Sequence, residues 1–186
     1  MLLTKGILLY HGSYVEVKSP NLKECRPRKD FGRGFYVTTS HQQAVKFSRT
    51  SVKKAMANGL IPKDQKVGYV STFTYDPTVE LSVFEFADAD REWLHCVAAH
   101  RKEFAFSDEV RRWAGYDVLC GKIANDNTNL VITAYIDGLY GEMLSEDADR
   151  IAIGFLEPDN LKDQLCFRTE LALKTLDFSG TEGVRL

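Results

Sequence analysis

The sequence predicts one α+β domain spanning residues 1–186. Three observations carry that reading. Runs of apolar and aromatic residues at 6–11 and 35–39 suit extended backbone, which β-branched and aromatic side chains favour. From His41 onward, apolar positions recur at helical spacing. Between 66 and 75, two sets of residues alternate with the period of a strand.

The elements follow in order. Gly6 to His11 is a short buried strand ending at the small pair Gly12-Ser13. Val15 to Lys29 carries Pro20, Pro27 and many charges, so it is a loop. Asp30-Phe31-Gly32-Arg33-Gly34 then hinges into a strand, Phe35 to Thr39. Two glycines around Arg33 let the backbone reach positive φ or let a ligand come close. Ser40 is placed to cap the next helix, since its hydroxyl can accept from a free first-turn N–H. Ala44, Val45, Phe47, Val52, Ala55 and Met56 form that helix's apolar stripe. Lys46, Arg49, Lys53 and Lys54 form its polar face, and Asn58-Gly59 ends it, because both tolerate the left-handed cap.

Lys66 to Tyr75 is a strand broken by Asp76-Pro77, and Val79 to Phe84 is a second short one. Asp88 to His100 is helical, with Trp93, Leu94, Val97 and Ala98 as its stripe; His95 and His100 do not share a face cleanly, which argues against a metal pair. Tyr116 to Ile123 is an apolar strand running into Ala124-Asn125-Asp126-Asn127-Thr128-Asn129. That cluster reads as turns whose side chains bond their own backbone, or as a site loop at a strand end. Leu130 to Tyr140 is a helix, while Asp147 to Phe155 suits either type. Asp163 to Thr169 is a strand with Gln164 at its opening. Thr169 caps a final helix, Glu170 to Leu176, which puts Glu170 near the positive end of the helix dipole. The polar, glycine-containing stretch after Asp177 reads as a loose tail.

Composition narrows the function classes. The net charge of −2 advertises neither a nucleic-acid nor an anionic-membrane partner by bulk charge. Cys25, Cys96, Cys120 and Cys166 are far apart without CxxC pairing, so no zinc site is expected; the last three sit among apolar neighbours as buried thiols, which fits a reducing compartment. No apolar run is long enough for a signal-peptide core or a membrane span, so the expectation is a cytoplasmic protein. Asp30-Phe31-Gly32 matches the kinase magnesium tripeptide by letters only, and Gly32-x-Gly34 lacks the third glycine and following helix of a dinucleotide fingerprint.

Two blocks carry a more specific signal: Tyr10-His11-Gly12-Ser13 and Asp30 through Thr39. With Tyr116-Asp117-Val118 through Asn127, and Gln164 through Leu173, they resemble the ADP-ribosyltransferase superfamily. The similarity is to its diphtheria-toxin-like and poly-ADP-ribose-polymerase-like branch, with its His, Tyr and Glu triad, and within that to a bacterial group of uncharacterised proteins. The resemblance implies a split β-sheet core with flanking helices and NAD as co-substrate. It implies that His11 binds an NAD ribose hydroxyl, that the backbone of Gly12 grips the nicotinamide carboxamide, and that Tyr36 stacks on the nicotinamide ring. Ser13, Gly34, Phe35, Thr38 and Asp126 complete the implied NAD contacts. The glutamate position falls on Gln164, which can hold a hydroxyl but supplies no charge. Glu170 and Asp126 are the alternative acids. The implied activity is mono-ADP-ribosyl transfer to a protein or nucleic-acid acceptor, as a bacterial toxin or toxin–antitoxin component with an antitoxin partner. The replaced glutamate motivates an alternative, an inactive NAD- or ADP-ribose-binding module.

Overall fold

A computed structural model describes residues 3–102, 106–123, 126–156 and 162–186, without the side chains of 126 and 127. Seven strands and six α-helices are arranged among them as two sheets with helices on their outer faces. The architecture is therefore mixed α+β. None of the described helices is long and apolar enough to cross a membrane.

The first sheet holds β1 (Leu8–Ser13), β3 (Val67–Tyr75) and β7 (Leu176–Arg185), all antiparallel, with β3 in the middle. The second runs in the order β2 (Phe35–Val37), β6 (Asp163–Phe167), β5 (Val118–Lys122), β4 (Val83–Glu85). Its pairs are antiparallel except β4 with β5. Period-two alternation puts Leu9 and Phe73 of the first sheet against Phe35, Val37, Val118, Cys120, Leu165 and Phe167 of the second.

The outer face of the second sheet is covered by α2 (Arg91–Arg101), α3 (Ser107–Arg112), α4 (Asp126–Ile136) and α5 (Glu146–Phe155), around a core containing Phe31, Trp93, Trp113 and Tyr135. The outer face of the first carries α1 (His41–Ala57). Here α1 comes so close that a Cβ on Gly12 would stand 2.1 Å from the Ala44 carbonyl oxygen. Ser48, fully buried, fills the remaining contact beside Gly12 and Gly68. Phe47, read as part of the apolar stripe, is instead 55% exposed, because the small residues Ala44 and Ser48 are what a sheet at this distance accommodates.

Helix ends follow side-chain chemistry. Ser40, Asp90 and Ser145 each accept a first-turn N–H of α1, α2 and α5, and Thr169 does so for the one-turn α6 (Glu170–Leu173). The expected stop at Asn58-Gly59 is a left-handed cap: Gly59 has φ +67°, its N–H donates to Met56, and the Leu60 N–H donates to Ala55. Gly138, at φ +77°, ends α4 in the same way.

Several expectations need correction. The polar cluster at 126–129 is the first turn of α4 rather than a string of turns, since side chains that bond local backbone also serve helix starts; residues 124 and 125 lie outside the described residues. Residues 146–155 are helix. The last helix stops at Leu173 rather than at Leu176. The stretch after Asp177 is no tail: it is β7, paired along the whole of β3. It is an edge strand with most side chains facing water, which is why its sequence is polar. A bulge at Ser179-Gly180 opposite Thr72 and Phe73 breaks its periodicity.

Candidate functional site

The two sheets meet at one seam and then diverge. At the seam, Tyr10 of β1 and Thr38 just past β2 exchange both backbone hydrogen bonds, N···O 2.9 and 3.0 Å. Beyond that bridge β1 and β2 separate, and the imidazole of His11 spans the opening. Its Nδ1–H donates to the Tyr36 carbonyl at 2.7 Å, and its ring packs 4.5 Å from that of Phe35. This bond fixes the tautomer and leaves Nε2 as an acceptor. Burial lowers the His11 pKa, opposed in part by the Tyr36 carbonyl.

On the other side of β2, Tyr36 pairs with Cys166 and Val37 with Leu165. Continuing that register brings Thr38 opposite Gln164, and Thr38 Oγ1 donates to the Asp163 carbonyl at 2.9 Å. By strand parity Tyr36, Thr38, Gln164 and Cys166 share one face. Gln164 is 7% exposed. Its Nε2 donates to Asp30 Oδ2 at 3.0 Å and to the Lys122 carbonyl at 3.2 Å. Both amide hydrogens are thus engaged, and Oε1 is left as an acceptor.

Asp30 is the residue that sequence reading did not single out. Its Oδ1 takes Arg101 Nε at 3.0 Å and Nη2 at 2.6 Å, while Arg101 Nη1 donates to Asn129 Oδ1 at 2.6 Å. A carboxylate, a guanidinium and a carboxamide form one chain behind the β6 opening. The available signal was that Asp30 heads the glycine-hinged block. Its partners Arg101 and Gln164 are too distant in sequence for any local pattern to join them.

Tyr36 anchors the hinge itself. Its hydroxyl accepts from the Phe31 N–H at 2.9 Å and donates to the Gly32 carbonyl at 2.8 Å. Burial, then the neighbouring Cys166 and Asp30, hold the phenol protonated, its pKa well above the usual value. Gly32 has φ +77°, so its freedom is conformational. Gly34 does not; a Cβ there would lie 2.3 Å from Cys166 Sγ, so its smallness is a packing requirement.

Of the sequence-predicted residues, His11, Gly12, Phe35, Tyr36, Thr38 and Gln164 gather at the seam, with Ser13 and Gly34 at the adjoining ends of β1 and β2. Thr38 Oγ1 is consumed internally, donating to Asp163 and accepting from the Ser40 N–H. Glu170 is not brought there. It is exposed in the first turn of α6, past the opposite end of β6 from Gln164. Asp126 starts α4, and its side chain lies outside the described residues. All four cysteines are free thiols; burial pushes Cys120 and Cys166 up to about 12, so neither is a ready nucleophile at neutral pH.

A family model described as a protein of unknown function, DUF3990, matches residues 7–178. The chain belongs to this family. The matched span runs from the start of β1 to the start of β7 and contains the seam, the hinge and the Asp30–Arg101–Gln164 chain. No curated protein gives a match.

The arrangement offers two acceptors, His11 Nε2 and Gln164 Oε1, that no protein donor occupies among the described residues. Beside them stand a partly buried carboxylate and an aromatic ring whose hydroxyl is tied down. Such a set suits ligand hydroxyls held beside a centre where positive charge develops.

Proposed function

We propose that this chain is an NAD-dependent mono-ADP-ribosyltransferase built on the split-sheet core of that superfamily. The observation that carries the reading is the bond from Gln164 to Asp30. At the strand position where the resembling family holds its glutamate, this chain has a glutamine with the Asp30 carboxylate one hydrogen bond behind it. In this reading the seam holds the nicotinamide end of NAD. His11 Nε2 accepts from a ribose hydroxyl, Gly12 serves the carboxamide through its backbone, and the Tyr36 ring packs on the leaving nicotinamide. Gln164 Oε1 accepts from a hydroxyl of the reacting ribose. Heterolysis of the glycosidic C–N bond leaves its electron pair on nicotinamide. The oxocarbenium-like sugar is then captured by a nucleophilic oxygen or nitrogen of the acceptor, which loses its proton. Asp30 supplies negative potential near the developing charge, and Arg101 holds it in place. The acceptor is a protein or a nucleic acid, and a bacterial toxin, held in check by an antitoxin, is the setting that the resemblance suggests.

The test is nicotinamide release from NAD by the purified chain, with and without a bacterial lysate as acceptor source. Wild type should release nicotinamide. Gln164→Ala and Asp30→Asn should each lose roughly 100-fold, the scale of removing one positioned polar group. Glu170→Ala should keep full activity. Absence of release under both conditions would overturn the transferase reading. Release unchanged in both the Gln164 and Asp30 variants would overturn the site.

One observation favours a second reading, an inactive NAD- or ADP-ribose-binding module: the group at the β6 opening is a carboxamide with both hydrogens already committed. Calorimetric binding of NAD with no nicotinamide release would select it.

A further inference from the structure

The chain holds 26 acids against 24 lysines and arginines, yet α1, its longest described helix at 17 residues, contains no Asp or Glu. Every other described α-helix contains at least one. The first turn of α1 also lacks the carboxylate that the positive end of a helix dipole favours. Its four cations, Lys46, Arg49, Lys53 and Lys54, are all exposed. Arg49 stands three residues after Lys46 and four before Lys53, spacings at which like charges disfavour a helix. These charges therefore do not serve the stability of α1 itself. Arg49 is oriented by donating Nε–H to the Arg185 carbonyl at 3.0 Å, which directs its fork away from the sheet. The one acid that reaches the helix, Glu182, is engaged by His41 at its first residue. Beside the cations stands Phe47, 55% exposed and without a ring contact among the described residues. Lys54 follows it by seven residues, two turns along the same side.

We propose that the outer face of α1 binds a single strand of nucleic acid. Exposed cations in a row track a phosphate backbone, and an aromatic ring among them offers a platform on which an unpaired base stacks. Lys46 to Lys54 covers about 12 Å of helix, at ~1.5 Å per residue, the reach of several phosphates rather than one. A duplex would leave Phe47 nothing to stack on, because paired bases present no free face. An anionic membrane would call for a broad exposed apolar face, whereas the apolar side of α1, with Ala44, Val52 and Ala55, is buried against the first sheet. This face is also separate from the seam. Tyr10 and Gly12 of β1 point toward α1, so His11 points to the other side of the sheet, where its ring meets Phe35. Helix and sheet both lie between the cations and that imidazole, and the inference rests on nothing proposed for NAD.

The test is fluorescence anisotropy with labelled single-stranded oligonucleotides of about 12 nucleotides, one RNA and one DNA, of mixed sequence. A duplex of the same sequence, and phosphatidylcholine vesicles carrying phosphatidylserine, are the competing probes. At least one single strand should bind, more tightly than the duplex or the vesicles, and excess NAD should not displace it. Lys53→Glu should weaken binding roughly tenfold without lowering the melting temperature, since it removes a like charge from beside Arg49. Lys53→Ala should reduce the slope of log affinity against log salt by about one. Phe47→Ala should weaken binding by about fivefold or more, the scale of losing one stacked base. Arg150→Glu, an equal change of charge on exposed α5 over the other sheet, should leave binding as it is. Failure of both strands to bind at low salt, binding indifferent to Lys53→Glu or to Phe47→Ala, equal weakening by Arg150→Glu, displacement by NAD, or preference for the duplex or the vesicles would each overturn the proposal.

Discussion

The His11 imidazole is constrained from two directions, by the Tyr36 carbonyl at Nδ1 and by the Phe35 ring at its face. Burial lowers its pKa in the folded chain below the ordinary value of 6.5. The sign then follows. The unfolded chain binds a proton at His11 more readily than the folded one, so protonation favours unfolding. The contribution is present in full above about pH 6.5 and is lost as pH falls through that value toward the lower folded pKa. Melting temperature should therefore decline from pH 7 to 5, and His11→Gln should flatten the decline. Equal slopes in the two proteins would show that His11 does not titrate as described. Gly12 makes a second residue-scale case. A Cβ there meets backbone of α1, which cannot rotate away as a side chain can. Gly12→Ala should cost about 1–3 kcal/mol by denaturant titration, as overpacking does. His11, Gly12 and Tyr36 were visible in the sequence because each sits in a short block of unusual composition. Asp30's role was not, because it arises from Arg101 and Gln164, which the chain delivers from α2 and β6.

At the scale of elements, the helices over the second sheet are fastened at one buried group. Asp149 of α5 is 2% exposed. Its Oδ2 takes Arg91 Nε at 2.7 Å and His95 Nε2 at 2.8 Å, both from α2, and its Oδ1 takes the Tyr135 hydroxyl of α4 at 2.5 Å. That hydroxyl in turn accepts the N–H of Leu144, a residue at φ +69° in the α4–α5 connection. One carboxylate thus sets the relative positions of three helices and a strained turn. Asp149→Ala would leave His95 and Tyr135 without their acceptor in a closed core and should cost about 3–5 kcal/mol, read as a lowered denaturation midpoint. A midpoint within about 0.5 kcal/mol of wild type, the range of an ordinary surface change, would mean that packing alone holds the helices. Sequence periodicity located α1 and α2 but left residues 147–155 undecided. In α5 the core-facing positions include Asp149, a charge that interrupts any apolar stripe and makes sense only once its partners are in place.

At the scale of the whole molecule, the split between the sheets depends on each sheet being complete. The sequence conveyed the centre of the second sheet well, because β5 and β6 are short, apolar and buried on both faces. It concealed the end of the first, because an edge strand with one paired side and a bulge carries almost no apolar alternation. Yet β7 covers the full length of β3 and buries Leu176 and Val184. It also reaches α1, where Glu182 meets His41 at 2.5 Å and the Arg185 carbonyl accepts from Arg49 Nε at 3.0 Å. Ending the chain at Thr175 would therefore do more than trim a terminus. It would remove two buried apolar side chains, worth roughly 1.5–3 kcal/mol each, and expose one whole edge of β3 as a template for pairing with other chains. The truncated protein should melt at a clearly lower temperature, and its aggregation should rise with concentration. Val184→Asp should reproduce the lower melting temperature with the strand still present, because a charge would then stand at a buried position. If both proteins melted with wild type and stayed monomeric, residues 176–186 would be the loose tail that their composition suggests, and β3 would hold the first sheet together with β1 alone.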